Sequence, residues 1–529
     1  MKTFRREVSK VEVGKVRVSK GDRVELVVTG EENVSFGQIL KISNPSGSTV
    51  YYARVTNASS HSMLEELEEL QDLKGSMRTV GPYTQCRLVE AMLFLEKVKD
   101  GKLRAPTLNP DYGWPAETLS KGDYGNLQVS GKLRLGYLRE GGRGEVREVI
   151  VGLDVDFIPR MSAIVGQIGS GKTNAELVLN AELMATKGEA VGLIFDFHGE
   201  LLTGKNIGKG LADHPLAASR LVYVGLEKPK GEIGFLPLKI GMKGFNPAML
   251  GLLLPDVSRP QIHYAAKLQR TFREDWVKKA VDLYLEGDVD AVKKQGASGS
   301  GSVIEALMRK LANLDENVFD LSLQGDVSSP IMDSLRQGKT VLVDVSGLPE
   351  EAQRQVVCWI VSRTVAYYRE TWRSNYEDWM RLPYLLITLE EAHKFLEERE
   401  SLFSDIALTH RKYRVGLNAV TPRPSLINRD VFAELWTKLI LKTTLREDRK
   451  YLADNTPYLE YSDTELKMLD IGEGLLVSQP KIQFAVPVKI FDYREYLEEH
   501  LEVEEESESF ALKAKMGEVK RSTYEENVL

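Results

Sequence analysis

A chain of 529 residues is long enough for three or four folding units at roughly 150 residues each. Its 70 basic and 77 acidic residues give a formal net charge of −7, and 42% of its residues are hydrophobic. This composition excludes a disordered chain and a globally basic nucleic-acid coat protein, so any contact with DNA or RNA must come from a local patch.

Two cysteines, Cys86 and Cys358, are too few and too far apart for a disulfide framework or a zinc ribbon. No apolar segment follows the charged N-terminus, and the longest apolar runs fall far short of the ~20 residues that a bilayer requires. We therefore expect a soluble, cytoplasmic protein without membrane insertion.

The first segment, residues 1–140, has the alternating pattern of half-buried strands. Val13, Val16, Val24 and Leu26 each belong to short runs of alternating apolar and polar residues separated by turn signals. This pattern predicts a small β-barrel. A leucine stripe at residues 64–73 interrupts it and predicts a packed amphipathic helix, with a partner-binding helix as the alternative.

The second segment, residues 141–490, alternates apolar strands with longer helical segments, which is typical of an α/β fold built on a buried parallel sheet. The predicted strands are 162–166, 191–197, 221–224, 340–345, 384–389, 416–420 and 439–443. The strand signal stops over residues 245–335, where we expect a helical insert.

That insert is predicted to contain helices at 258–286 and 302–315, joined by a soft linker at 296–301. A C-terminal tail follows at 491–529, and it is acidic because residues 495–508 include eight glutamates and no lysine or arginine. Such a run is typical of a solvated helix or a disordered end, and it would repel DNA.

A glycine-rich loop between a predicted strand and a predicted helix fits the pattern G-x-x-x-x-G-K-[ST]. Backbone amides of such a loop surround phosphates, the lysine contacts the β- and γ-phosphates of ATP, and the threonine hydroxyl binds Mg²⁺. A glycine-rich turn without nucleotide is the alternative. The predicted nucleotide-binding residues are Gly166, Gln167, Ile168, Gly169, Ser170, Gly171, Lys172, Thr173 and Asn174.

An acidic pair ends the predicted strand at 384–389. We expect Glu390 to hold Mg²⁺ through its water shell and Glu391 to polarise the attacking water. The alternative is a surface acidic pair that begins a helix, where negative charge is favourable.

A third cluster follows the predicted strand at 191–197. Asp196, His198 and Glu200 would lie at the carboxyl edge of a parallel sheet, where α/β proteins bind ligands. Beside a nucleotide-binding loop we interpret them as part of the same site, with a capped turn as the alternative. The seven histidines are otherwise scattered, and nothing in the sequence has the spacing typical of metal ligands.

Arginines complete the predicted site, because ATP hydrolysis builds negative charge on the transferred phosphoryl group. Arg160 precedes the first core strand, and Arg411 precedes the strand that follows Glu391. From spacing alone, either side chain could equally be an ordinary surface charge.

Six motifs together resemble the HerA branch of the HerA/FtsK translocases, over residues 135–480 and in the order of that family. They are GQIGSGKT, IFDFHGEL, LLITLEEAHKFL, HRKYRVGLNAVTPRPS, LREDRKYL and LDIGEGLL. The resemblance implies a RecA-like P-loop ATPase core preceded by a small barrel. It also implies a hexameric ring that hydrolyses ATP and pumps double-stranded DNA, working with a NurA-type nuclease in DNA end processing.

The resemblance carries roles to matching residues of this sequence. It implies that Lys172 and Thr173 bind phosphate and Mg²⁺, and that Glu391, with Glu390 beside it, is the catalytic carboxylate. It makes Arg160 a trans-acting arginine finger and Arg411 a sensor arginine.

Three positions depart from the family pattern. Pro422 stands where the family carries a glutamine, and proline cannot make the side-chain hydrogen bond of a γ-phosphate sensor. Phe197 stands where proline is common, and His410 where glycine is common. These changes indicate a divergent member.

Contacts to DNA in a ring would come from loops that line the pore. Lys205 and Lys209 lie between glycines after the second core strand, and Lys293 and Lys294 precede the soft linker. Few aromatic residues lie among them, which favours backbone tracking on a duplex over base stacking on a single strand. Solvated loops without DNA contacts are the alternative.

Three functions therefore remain open from the sequence. The first is a ring-forming translocase on duplex DNA. The second is a conjugation- or secretion-type pumping ATPase, and the third is a nucleotide-gated platform that activates a nuclease or other effector.

Overall fold

The computed structural model describes residues 11–29, 34–62, 85–141, 144–254, 256–287, 301–399 and 401–499. The chain divides into two compact units, here called unit 1 and unit 2. Unit 1 comprises Met1–Ala175 and Thr421–Phe491, and unit 2 comprises Glu176–Val420 and Asp492–Leu529. The predicted leucine-stripe helix, most of the 296–301 linker and most of the acidic tail lie outside the described residues.

The N-terminal part of unit 1 is a closed β-barrel, as the sequence predicts. Strands pair in the order β2–β1–β7–β3–β4–β5, β5 pairs back with β2 to close the barrel, and the short β6 is added beside β5. The strands are β1 Glu12–Lys20, β2 Arg23–Val28, β3 Ile39–Ser43, β4 Val50–Ser62, β5 Gln85–Lys97, β6 Leu103–Arg104 and β7 Pro115–Thr118.

Apolar alternation fills the barrel interior. Val13, Val16, Val24 and Leu26 are all at most 2% exposed. The sequence also predicts Val18, two residues after Val16, as an inward-facing residue, but Val18 is 51% exposed because a β-bulge between Val16 and Val18 shifts the register of the strand.

Three further strands of unit 1 follow the barrel: β8 Leu133–Arg139, β9 Glu145–Leu153 and β10 Ser162–Val165. β8 pairs with β9 rather than with a barrel strand. Helix α1, Lys172–Ala185, begins after β10, and the division between the units falls inside it.

Unit 2 contains a parallel sheet with the strand order β13–β12–β16–β11–β17–β18. β11 and β18 are buried along their whole length, as expected for strands covered on both faces. β14 and β15 form a separate parallel pair. The strands are β11 Ala190–Asp196, β12 Leu221–Gly225, β13 Gly234–Pro237, β14 Ile240–Lys243, β15 Phe319–Gln324, β16 Thr340–Asp344, β17 Tyr384–Leu389 and β18 Val415–Thr421.

Helices connect these strands. They are α2 Ala217–Arg220, α3 Leu250–Leu253, α4 Arg259–Phe272, α5 Trp276–Leu285, α6 Gly301–Ala312, α7 Ser328–Arg336, α8 Glu350–Ser374, α9 Tyr376–Arg381, α10 His393–Leu396 and α11 Leu402–Thr409. The described part of the predicted insert over 245–335 is mostly helical, but it also contains β15, which pairs with β14. The predicted helix at 258–286 is two helices, broken near Arg273, whose φ is +56°.

The chain then returns to unit 1 with helices α12 Arg429–Ala433, α13 Arg446–Asn455 and α14 Asp463–Met468, and with strands β19 Thr437–Leu441, β20 Glu473–Ser478 and β21 Val486–Ile490. The unit 1 strands outside the barrel pair in the order β10–β19–β20–β21–β8–β9. β10 and β19 are parallel, and the other pairs are antiparallel.

Each predicted core strand is present, with ends within two residues of the prediction. The α/β core, the N-terminal barrel and the helical insert are thus confirmed as the fold class. Among the described helices, none is both long and apolar enough to cross a membrane.

Candidate active site

The predicted phosphate-binding loop joins β10 to α1 in unit 1. β10 ends at Val165, and α1 begins at Lys172. Gly171 has a φ of +101°, and a Cβ built on it would lie 3.1 Å from the backbone nitrogen of Gly472. Only glycine fits there without strain. The strand–loop–helix context that the motif requires is therefore present.

The side chain of Lys172 lies over this loop. Its Nζ donates to the carbonyl oxygens of Gly166 at 2.9 Å and Gln167 at 3.0 Å. Ser170 is buried, and its Oγ has no hydrogen-bond partner among the described residues. Thr173 is half-buried in the first turn of α1. The loop therefore combines the Lys172 ammonium group, the buried Ser170 hydroxyl and the N-terminus of α1. These three features fit the phosphates of a nucleotide.

Two segments of unit 1 that sequence reasoning left without a role contact the loop. Gln167 Oε1 accepts from the backbone amide of Thr444 at 3.1 Å and from its Oγ1 at 2.6 Å. The amide of Gly472 donates to the carbonyl of Ser170 at 3.0 Å. Thr444 immediately precedes LREDRKYL and Gly472 lies in LDIGEGLL, and the resemblance of these two segments to family motifs was the available signal. Next to the loop, Asn174 Nδ2 donates to the carbonyl of Phe491 at 2.7 Å.

In unit 2, Asp196 shapes the turn after β11. Its Oδ1 accepts from the amides of His198, Gly199 and Glu200 at 3.1, 2.6 and 3.2 Å, and its Oδ2 accepts from the amide of Leu201 at 2.9 Å. Burial raises the pKa of Asp196, and the charge of Asp344 adds to that effect. The geometry thus gives this carboxylate the role of positioning its own loop.

The two other predicted members of that cluster are on the turn itself. The His198 side chain is 52% exposed. Glu200 Oε1 accepts a hydrogen bond from Asn206 Nδ2. Both side chains are thus more accessible than that of Asp196.

Glu390 follows β17 and is 6% exposed. Its Oε2 accepts from the backbone amide of Phe197 at 2.8 Å. Burial, and then the nearby charge of Asp196, raise the pKa of the Glu390 carboxyl well above its usual range. A bound cation would favour the ionised form of the same group.

Glu391 lies between two imidazoles of unit 2. Its Oε1 is 3.8 Å from His198 Nε2, and its Oε2 is 3.6 Å from His393 Nδ1. Its φ is +49°, a conformation that non-glycine residues rarely adopt and that clusters at functional sites. The sequence predicts Glu391 and His198 as site residues but not His393, although the motif contains it.

Asp344 was also missed by sequence reasoning. It ends β16 and pairs in register with Asp196 of β11. Its Oδ2 accepts from the hydroxyl of Tyr223 at 2.8 Å, and its Oδ1 accepts from Ser346. An acid at the end of the predicted strand at 340–345 was the signal that could have found it.

Arg160 lies at the end of a short 3₁₀ helix before β10 in unit 1. Its Nη2 is 2.9 Å from Asp156 Oδ2, and its carbonyl accepts from the amide of Trp436. In unit 2, Arg411 begins a 3₁₀ turn and is half-buried. The preceding His410 is buried, and burial lowers its pKa.

The Thr421–Pro424 stretch carries one side chain near an acid. Arg423 Nε lies 3.8 Å from Asp448 Oδ2, and the Arg423 amide donates to Thr421 Oγ1 at 3.0 Å.

The lysines predicted to contact DNA are partly described. Lys209 Nζ forms an ion pair with Asp213 at 3.0 Å, and Lys205 is exposed on the same turn-rich segment. Lys293 and Lys294 lie outside the described residues. In the part of the chain that is described, no group of three histidine, cysteine or acidic side chains could hold a metal ion by itself.

Comparison with known proteins agrees with the motifs. A family model described as the central domain of helicase HerA matches residues 133–365. The DNA double-strand break repair helicase HerA of Saccharolobus solfataricus is 25% identical over 441 residues, or 81% of this chain and 82% of that protein. The protein of the same name from Pyrococcus furiosus is 23% identical, and the match covers 89% of this chain and 90% of that protein.

Among solved structures, VirB4 of Thermoanaerobacter pseudethanolicus is 15% identical with a TM-score of 0.44, and the match covers 68% of this chain and 96% of that one.

The phosphate-binding loop joins β10 to α1 in an α/β core, and it lies within the region that the family model matches. Together these findings define the class of this protein: it is a P-loop ATPase. Within that class the chain resembles the HerA helicases over most of its length, as its motifs predict.

Proposed function

We propose that this protein assembles into a homo-oligomeric, hexameric ring and uses ATP hydrolysis to pump double-stranded DNA. The observation that carries the proposal is the loop at 166–173, where Lys172 lies over backbone carbonyls at the N-terminus of α1. The names of the relatives, DNA double-strand break repair helicases, support DNA as the substrate.

In this proposal the loop binds the triphosphate. Lys172 exchanges its carbonyl contacts for the β- and γ-phosphate oxygens, and the amides of the loop orient the γ-phosphate for in-line attack. Thr173 and Glu390 would hold Mg²⁺, which neutralises charge on the phosphates when it is bound. The buried Ser170 hydroxyl supplies a further donor.

Glu391 would orient and polarise the attacking water. Its carboxylate already faces His198 and His393 at under 4 Å, so its position is restricted. A carboxylate that accepts the proton of the water raises the nucleophilicity of the oxygen as the P–O bond forms. Arg160, from a neighbouring subunit, and Arg411 would stabilise the negative charge that develops on the phosphoryl group.

DNA would be contacted by Lys205 and Lys209, whose ion pairs with phosphates need no base recognition. A NurA-type nuclease or another effector is the proposed protein partner, and DNA end processing is the proposed role.

Displacement of a triplex-forming strand from linear duplex DNA tests this function. We expect ATP-dependent displacement by the wild-type chain and none by Glu391→Gln. ATP hydrolysis without displacement, together with a tight complex with an effector, would instead support a nucleotide-gated platform.

A further inference from the structure

We infer that helix α14 positions the phosphate-binding loop, and that the buried ion cluster joining α14 to the barrel sets the affinity of the loop for ATP. This inference rests on the proposed function, because it concerns the same nucleotide site. All the residues that carry it belong to unit 1.

A buried ion cluster joins α14 to the barrel and to β8. Glu465 of α14 accepts hydrogen bonds from Arg54 of barrel strand β4 and from Arg139 of β8. Arg54 is 0% exposed, Arg139 7% and Glu465 2%. Arg54 Nη2 also donates to Ser462 Oγ at 2.6 Å, immediately before α14. Arg54 of the barrel therefore holds the start and the middle of this helix through two hydrogen bonds, and all three charged side chains of the cluster are buried.

A close backbone approach seals this cluster. Gly37, in the loop before β3, has a φ of +76°, and a Cβ on it would lie 2.2 Å from Glu465 Oε1. The carboxylate thus fits into a space that only glycine leaves open.

A chain of hydrogen bonds links the start of α14 to Gln167. Asp463 accepts from Arg449 Nε at 2.7 Å, and Arg449 Nη1 donates to the carbonyl of Thr444. Thr444 in turn donates twice to the side chain of Gln167. The start of α14 is thereby linked to the second residue of the phosphate-binding loop.

The segment that follows the C-terminal end of α14 also contacts the phosphate-binding loop. The amide of Gly472, four residues beyond the helix, donates to the carbonyl of Ser170. The same glycine packs against Gly171. A shift of α14 would therefore move both sides of the loop whose amides must converge on the phosphates, and small displacements of such donors weaken binding strongly.

This arrangement makes Arg54 and Glu465 positioning residues, far from the nucleotide in sequence. We expect Glu465→Gln and Arg54→Met to raise the Kd for ATP by about fivefold or more, since changes along such a network typically alter coupling by about two- to thirtyfold. The matched control is Glu96→Gln, since Glu96 is also 2% exposed and accepts hydrogen bonds from Arg104 and Thr107 rather than from a residue of α14.

The experiment measures ATP binding by calorimetry and the thermal midpoint of each full-length variant. Raised Kd values for Arg54→Met and Glu465→Gln, with an unchanged Kd for Glu96→Gln, support the inference. An unchanged Kd in a folded Arg54→Met, or the same rise in Glu96→Gln, overturns it. Arg54→Lys, which keeps the charge but loses the fork geometry, replaces Arg54→Met if that variant does not fold.

A double-mutant cycle tests whether the path is continuous. If Arg54 acts through Arg449, the effects of Arg54→Met and Arg449→Met on the Kd are not additive, whereas additive effects overturn the shared path. A wild-type chain that does not bind ATP overturns the proposed function and this inference together. Wild-type binding with unaltered variants overturns the inference alone.

Discussion

The backbone amide of Phe197 donates to the side chain of Glu390 at 2.8 Å, in the interior of unit 2. A proline, common at this position in the family that the chain resembles, has no amide hydrogen to donate. Phe197, which stands where the family pattern has proline, thus supplies the amide that the long side chain of Glu390 reaches. The contact also compensates in part for burying a carboxyl beside Asp196.

This contact predicts opposite effects of two substitutions on stability. Glu390→Asp is one methylene too short to reach the amide of Phe197, so we expect a loss of about 1–3 kcal/mol in the free energy of unfolding. Glu390→Gln keeps an acceptor oxygen without a charge and should unfold at or above the wild-type temperature. Scanning calorimetry measures both, and equal midpoints for the two variants would contradict the role of the hydrogen bond.

Glu391→Gln should separate ATP binding from hydrolysis. The amide keeps the size of the side chain but cannot accept a proton from water, so we expect ATP binding near the wild-type level and a fall in kcat of about 10²-fold or more. Single-turnover hydrolysis measures the chemical step. The control is Glu397→Gln, an exposed glutamate a few residues later. Near-normal hydrolysis by Glu391→Gln would assign the base to another group.

Arg160→Ala should bind ATP and fail to hydrolyse it, because the proposed role of the guanidinium lies across a subunit interface. Mixing Arg160→Ala with Lys172→Ala subunits should restore part of the activity, since each supplies what the other lacks. The double variant Arg160→Ala/Lys172→Ala, mixed with either single variant, is the control. Recovery at no mixing ratio would argue against an arginine acting in trans.

Lys438 predicts a dependence of stability on pH. Its side chain is 2% exposed, donates to the carbonyl of Leu435 and lies 4.8 Å from the ring centre of Phe432. Burial lowers the pKa of Lys438 from 10.5 to about 8. The folded state therefore binds fewer protons than the unfolded state between about pH 8 and 10.5, and this group destabilises the fold most below pH 8.

Lys438→Met removes that penalty. We expect the variant to be more stable than the wild type by about 1–3 kcal/mol at pH 7, after the loss of the hydrogen bond to Leu435 is included. The advantage should shrink as the pH rises from 8 to 10.5. Thermal midpoints measured across this range check it, and a constant difference between the two proteins would be inconsistent with a titrating Lys438.

Local patterns in the sequence were enough to predict seven strands of the core and the phosphate-binding loop, but not the strands β9, β13, β20 and β21. A run of apolar residues such as 384–389 predicts a buried strand, and the loop at 166–173 carries its own spacing signal. The barrel followed from alternation, which failed at Val18 because a bulge cannot be read from a period of two.

Partners distant in sequence could not be predicted. Gln167 and Thr444 are 277 positions apart, and Arg54 and Glu465 are 411 apart. No periodicity links such residues, since the folded chain alone brings them together. Strand β15 was not predicted for a related reason. Its burial declines along the strand, and its pairing with β14 depends on tertiary structure rather than on local preference.

The central claim is that nucleotide chemistry occurs at the loop after β10. The most direct test is the steady-state rate of phosphate release from ATP by Lys172→Ala. The wild type and Lys121→Ala are measured alongside, since Lys121 is an exposed lysine of the same unit. We predict turnover by the wild type and Lys121→Ala and a loss to background in Lys172→Ala. Turnover by Lys172→Ala at the wild-type rate would contradict the account.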